Sequence, residues 1–379
     1  MTRREKNNTN DDDDRDVVLV VTGCLGFIGS HFCERVLTNS NARVIGIDRA
    51  DVDLGPYKKE HKRANLEHLM QIRDIDDKFT TDRFTFIDED ILALGVDGML
   101  ERCGTTAAAI DGVVHCAALS GVRDTLDDPM LAFRANAETT AIAIEFAKRR
   151  EANFVFLSSG ATYGDNADKV ASRECEGVMG TSSMATSPYA FSKIAGEAVV
   201  RSYARAFEAL GKKITIARIF TCFGNRGRPD MAITRFMCSL LDDGGNEGEE
   251  KKLTMFGDGD DSWRDYCHVS DVCSGIEKAL WREKGSTCEA INISRGEAVS
   301  LRRLMTSVQR AASEELKSSS ENDVKIVVEP KRPGDVGGTF ADVSKAKNLL
   351  DWEAEISLEE GLASVAKWYN SAESKTQFR

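Results

Sequence analysis

An apolar run at residues 17–22 passes straight into three glycines spaced three apart, Gly23-Cys-Leu-Gly26-Phe-Ile-Gly29. No other stretch constrains the fold as tightly. The run reads as a strand, and the residues from 27 to 37 carry apolar side chains at helical spacing. A second strand follows at 42–48, ARVIGID. Strand, glycine turn, helix and strand within about thirty residues make a βαβ unit. Glycine in such a turn tolerates positive φ and lets the backbone approach a pyrophosphate, at which the helix N-terminus then points. Asp48 closes the second strand, nineteen positions after Gly29. A carboxylate there accepts hydrogen bonds from ribose hydroxyls and repels a 2′-phosphate. The expected cofactor is therefore NAD rather than NADP, held by Gly23, Gly26, Phe27, Ile28, Gly29 and Asp48. Arg49 works against that preference, because an arginine there can meet a 2′-phosphate.

The alternation continues. Further strands are expected at 83–91, 111–118, 152–159 and 212–220, and long helices at 130–150 and 188–210. This predicts an α/β chain with a Rossmann-type, doubly wound parallel sheet over residues 17–220. After residue 220 the alternation breaks. Residues 221–379 are expected to form mainly a smaller C-terminal α/β domain that binds substrate, with segments near 266–295 returning to the first domain. Open sheets of this kind bind ligands at the carboxyl ends of their strands. Asp90 and Ile91 should flank the adenine there, and the small Ala117 and Ala118 should let the backbone approach the dinucleotide.

A net charge of −12 argues against a nucleic-acid partner. No apolar run reaches transmembrane length. The ten cysteines form no C-x-x-C pair and suit a reducing, cytoplasmic compartment. Residues 1–16 lack the apolar core of a signal peptide and read as a disordered, acidic tail. The acidic, glycine-rich stretch 242–252 reads as a solvated insertion.

Tyr189 and Lys193 form Y-x-x-x-K, so they share one helix face. A phenol is a poor base at neutral pH unless nearby positive charge stabilises its anion, and an ammonium one turn away is expected to do this. Ser187-Pro188 sets the helix start. Just upstream, strand five ends in Ser158-Ser159, and a hydroxyl there can relay a proton between a substrate oxygen and Tyr189. Ser159, Tyr189 and Lys193 are thus the catalytic candidates, with Ser158, Tyr189 and Lys193 also against the cofactor.

These motifs, VTGCLGFIGS, DGVVHCAA, LSSGATYG, SPYAFSK and GDGDDSWRDYCHVSDV, resemble the extended short-chain dehydrogenases, the NAD-dependent epimerase/dehydratase family. The likeness runs from residue 17 to about 369. It implies a UDP-sugar substrate, tightly held NAD, and a homodimer built on the helices at 130–150 and 188–210. Dehydratases of the family look as though they need an Asp-Glu pair where this chain has Gly160-Ala161, and decarboxylases a glutamate at the second of these. Neither residue here can transfer a proton. Residues 218–231 look like the R-F-F-T-V-Y-G-P-x-G-R-P-D-M segment of UDP-glucuronate 4-epimerases, in which Thr221 and Arg228 correspond to the groups that hold the sugar carboxylate. Asn225-Arg226 departs from it, and Arg226 is expected to face solvent. By the same resemblance Arg123 reaches the sugar, Arg264 grips the diphosphate, Ser159 and Tyr189 contact the reacting hydroxyl, and residues 331–335 cover the nucleotide. No metal is implied. The alternatives are a UDP-glucuronate decarboxylase, a UDP-glucose/UDP-galactose 4-epimerase, and a non-catalytic NAD-binding scaffold.

Overall fold

The structure is a computed structural model. It describes residues 17–53, 57–72, 83–104, 109–165, 170–175, 187–241, 251–257, 259–317, 324–330 and 337–371, without the side chains of Val122 and Arg123. The tail 1–16, most of the acidic stretch at 242–252 and the 331–335 loop lie outside the described residues.

The glycine turn is preceded by β1 (Val18–Thr22) and followed, after the helix Phe27–Asn39, by β2 (Arg43–Asp48). The sheet continues with β3 (Phe84–Asp88), β4 (Gly112–His115), β5 (Asn153–Ser159) and β6 (Ile214–Ile219). A seventh strand, Cys288–Ile293, pairs with the outer edge of β6. All pairings are parallel, and the order across the sheet is β3, β2, β1, β4, β5, β6, then Cys288–Ile293. The strands are apolar almost throughout because both faces are covered. One face packs on the helices Phe27–Asn39 and Val269–Leu280, the other on Ile91–Gly104, Thr139–Arg149 and Pro188–Ser202. This is the expected Rossmann-type α/β fold.

The order reverses between β1 and β4, and a crevice opens beyond the strand ends there. Two expected helices are broken. The one at 130–150 is Pro129–Phe133, a π-helical turn at Arg134–Glu138, and Thr139–Arg149. The one at 188–210 ends at Ser202 and resumes as Ala204–Ala209. The strands expected at 83–91 and 111–118 end early, at Asp88 and His115, where the chain turns into the crevice.

A further core lies C-terminal to the sheet. The helices Ala232–Leu241, Leu301–Leu316 and Leu358–Asn370 enclose it with the parallel strands Lys251–Phe256 and Val324–Glu329. Phe223 and Tyr266 reach it from a short parallel pair, Thr221–Phe223 and Tyr266–His268. The segment 220–231 therefore leaves the end of β6 and runs across the crevice mouth before the second core begins.

Candidate functional site

A cavity of about 630 Å³ fills the crevice. Its wall at the switch point is the glycine turn. Gly23 has φ +69°, and a Cβ on it would lie 2.6 Å from the Ala117 backbone nitrogen. A Cβ on Gly29 would lie 2.1 Å from the Gly23 carbonyl oxygen. Side chains are thus excluded at both places. Gly26 caps the following helix with no side-chain hydrogen bond to its first turn, which leaves backbone N–H groups for an anion. The turn fits a dinucleotide pyrophosphate on this geometry. Gly23, Gly26, Phe27, Ile28, Gly29, Asp48, Asp90, Ile91, Ala117, Ala118 and Ser158 all line the cavity.

Asp48 is more engaged than its sequence position suggests. Its carboxylate accepts from the backbone of Leu25 at 3.0 Å and of Arg49 at 2.7 Å, and from Lys62 Nζ at 2.8 Å. Lys62 is 5 % exposed and was not legible as a site residue, because only the packing of its helix brings it to Asp48. Arg49, the residue that could meet a 2′-phosphate, lines the cavity but is already paired. Its guanidinium pairs with Asp90 at 3.0 Å.

The catalytic candidates converge. Ser159, Tyr189 and Lys193 line the same cavity. Ser159 Oγ accepts from the Ala161 N–H at 3.1 Å, and its side chain acts to lower the Tyr189 phenol. Lys193 Nζ donates to the Leu157 carbonyl at 2.7 Å and lies 5.0 Å from the centre of the Phe156 ring. Burial pushes Lys193 down to about 8, opposed by the charges of Cys116 and Glu197. Tyr189 is open to the cleft and otherwise enclosed by protein. That enclosure pushes its phenol above the ordinary value, while Ser159 and Arg228 pull it back. The expected lowering by Lys193 is therefore not the dominant effect in the protein alone, since the ammonium is desolvated and committed to Leu157.

Gly160 carries no side chain for a steric reason. A Cβ there would meet the Phe220 ring at 2.8 Å. The acidic residues that line the cavity, Asp48, Glu89 and Asp90, sit at the ends of β2 and β3, on the far side of β1 from Tyr189.

Two buried groups beneath the site were also missed. Glu197 follows Lys193 by one helical turn, as Lys193 follows Tyr189. Its carboxylate accepts from Ser158 Oγ at 2.6 Å and from Arg218 at 2.8 and 2.7 Å. Neither member of this ion pair is exposed at all. The helical period could have flagged Glu197. Asn136 lies buried in the π-helical turn, bonding both backbone groups of Leu119 and donating to Ser192 at 2.8 Å. It ties the loop after β4 to the Tyr189 helix, and nothing in the sequence announces it.

The substrate candidates divide. Arg228 lines the cavity and is joined to Ser120 and Asp230. Thr221 stands on its short strand between Phe220 and Cys222, which line the cavity while Thr221 does not. Arg264 is also outside the lining, donating to the carbonyls of Trp263 and Gly337 at 2.7 and 3.3 Å. Beside it, fully buried Asp265 accepts from the backbone of Arg295, Gly296 and Ala341, and burial pushes its carboxyl up to about 6. Arg123 opens the helix Val122–Asp127, and its side chain lies outside the described residues.

Arg226 corrects its expectation. It is 5 % exposed and does not face solvent. Its guanidinium meets Glu34 at 2.5 Å and His68 at 3.2 Å, while its carbonyl accepts from Tyr57 at 3.0 Å. Its residue takes φ +54°. Two helices of the sheet domain converge there, and their acid and imidazole capture the cation.

Residues 20–365 match the GDP-mannose 4,6 dehydratase family. The chain belongs to this family, within the extended short-chain dehydrogenases. It is 32% identical to a Bacillus subtilis protein named as an uncharacterized UDP-glucose epimerase, over 93% of this chain and 98% of that one. A UDP-glucuronate 4-epimerase of Thermodesulfobacterium geofontis is 29% identical, over 92% of this chain and 95% of its own. The crystal structure of a Bacillus cereus UDP-glucuronic acid 4-epimerase, in complex with UDP-glucuronic acid and NAD, superimposes with a TM-score of 0.75 at 31% identity. It covers 93% of this chain and 98% of that one. Members of this family thus include proteins whose names carry epimerase rather than dehydratase chemistry.

Proposed function

We propose that this chain is an NAD-dependent nucleotide-sugar 4-epimerase, an isomerase, that interconverts UDP-glucuronate and UDP-galacturonate. The observation that carries the reaction type is the surroundings of Tyr189. Ser159 and Lys193 share its cavity, and no acid stands at 160 or 161, where Phe220 fills the space beside Gly160. A base with no acid at these two neighbouring positions favours oxidation and reduction at one carbon over elimination of water or assisted decarboxylation. The likeness to proteins named as UDP-glucuronate 4-epimerases supports the reading.

Tyr189 accepts the proton of the sugar C4 hydroxyl, directly or through Ser159. Lys193 stays charged below about pH 8 and offers N–H donors to the cofactor ribose. Glu197 and Arg218 hold Ser158 beneath it. Bound NAD would supply reversible hydride transfer at C4, and its positive ring would favour the Tyr189 phenolate. Gly23, Gly26 and Gly29 receive its pyrophosphate, and Asp48 its adenosine ribose. The uronate assignment rests on Arg228, a cation in the same cavity as Tyr189. A sugar carboxylate buried without a partner would cost several kcal/mol, and a guanidinium supplies a charge-assisted partner. Holding that carboxylate also resists loss of carbon dioxide from the 4-keto acid, because it restrains rotation of the C5–carboxylate bond into line with the carbonyl. Replacing Arg228 with methionine tests this. Pentose product should rise relative to epimer, whereas unchanged uronate turnover with no pentose would defeat the assignment.

We infer a homodimer as well. Leu126, Met130, Phe133 and Phe191 stand 48%, 70%, 42% and 60% exposed on helices that pack on one another. Such an apolar face suits a second copy of the same chain. The ten cysteines, none in a disulfide, fit a cytoplasmic setting.

A further inference from the structure

Arg228 already holds a carboxylate. Its Nε and Nη2 donate to the two oxygens of Asp230 at 3.0 and 2.7 Å, in the bidentate geometry a substrate carboxylate would use. Its Nη1 donates to the Ser120 carbonyl at 3.1 Å and to Ser120 Oγ at 2.9 Å. Asp230 therefore fills one edge of the guanidinium, and Nη1 of the other is committed to Ser120. Arg228 is 18% exposed and Asp230 39%, so the pair sits where the cavity meets solvent.

Two consequences follow from charge alone. A sugar carboxylate must displace Asp230 from the fork, or take Nη1 from Ser120 while standing close to a like charge. A neutral sugar meets an arginine whose charge is already balanced. It does not strand a desolvated cation when it closes the site, as it would if Arg228 stood alone.

We propose that Asp230 is a built-in carboxylate that competes with the substrate's own for Arg228, and so sets how far this site prefers a uronate over a neutral UDP-hexose. Ser120 is the second, weaker competitor. The proposal rests on the reading that Arg228 meets the sugar carboxylate. It assigns the site a graded selectivity, in which neutral UDP-hexoses are accepted as well.

The test is calorimetric titration of NAD-saturated protein with UDP-glucuronate and with UDP-glucose, for the wild type, Asp230→Asn, Ser120→Ala and Arg228→Met. Asp230→Asn should raise the ratio of UDP-glucuronate to UDP-glucose affinity about five-fold, the scale of one partly exposed ion pair. Ser120→Ala should shift it the same way by less, because the Ser120 carbonyl still accepts. Arg228→Met should collapse the ratio toward one. A ratio unchanged or lowered in Asp230→Asn, with Arg228→Met still collapsing it, overturns the competition and makes Asp230 a support for Arg228. A ratio unmoved by Arg228→Met instead overturns the underlying carboxylate reading, and the proposal with it.

Discussion

Replacing Glu197 with glutamine should be among the most damaging single-atom changes available in this protein. Glu197 and Arg218 are wholly buried. The carboxylate takes three donors, Ser158 Oγ at 2.6 Å and two guanidinium N–H groups at 2.8 and 2.7 Å. Glutamine cancels the negative charge and turns one acceptor into a donor, which must then face either Ser158 or Arg218. A buried charge stripped of its partner costs about 3–5 kcal/mol, a large part of a folding free energy of ~5–15 kcal/mol. Removing both charges with Glu197→Met and Arg218→Met should cost less than the two single changes added together, because no orphan charge remains. The double variant will not be neutral. Arg218 also stacks 4.8 Å over the Tyr163 ring and donates to the Glu174 carbonyl. Urea unfolding of the wild type, the two single methionine variants and the double variant gives the cycle, with Glu197→Gln measured beside them, all at fixed NAD concentration. A cost below about 1 kcal/mol for Glu197→Gln, or strict additivity in the double variant, would refute the claim that the pair is a mutually dependent anchor.

Three other outcomes are expected. Tyr189→Phe should lower kcat by about 10²–10⁴-fold while NAD affinity, measured by fluorescence titration, stays within a few-fold. Asp265 has its carboxyl raised to about 6 by burial, so the folded chain holds this proton more tightly than the unfolded chain. The group's contribution to stability is then full below about pH 4 and is lost as pH rises through 6, a loss of about 2–3 kcal/mol. Urea midpoints between pH 4.5 and 7 should show that decline in the wild type and lack it in Asp265→Asn. Met130→Glu places a charge in the exposed apolar face and should weaken self-association about thirty-fold, read by light scattering. A wild type that is monomeric at micromolar concentration would remove the dimer.

The sheet was legible because its signals are local. A buried parallel strand is a continuous apolar run, and a pyrophosphate turn must be written in glycine at 23 and 29. The Ser159, Tyr189 and Lys193 grouping was legible because two of the three share a helix and the third ends a strand. What escaped was tertiary. Lys62 reaches Asp48 only because its helix, Lys59–Gln71, packs on Phe27–Asn39. Arg226 looks like a loop cation until Glu34 and His68, 192 and 158 residues away in sequence, close on it. Asn136 needs a π-helical turn to face Leu119 and Ser192. The partition of Arg228 between Asp230 and Ser120 could not be read from the motif, which places an arginine but not its partners.

The most direct test of 4-epimerase activity is incubation of the purified protein with NAD and UDP-glucuronate, with products resolved by NMR. The expected outcome is an equilibrium mixture of UDP-glucuronate and UDP-galacturonate, without release of carbon dioxide. A UDP-pentose would show that decarboxylation proceeds without an acid at 160 or 161. No reaction with the uronate, alongside interconversion of UDP-glucose and UDP-galactose, would contradict the role given to Arg228.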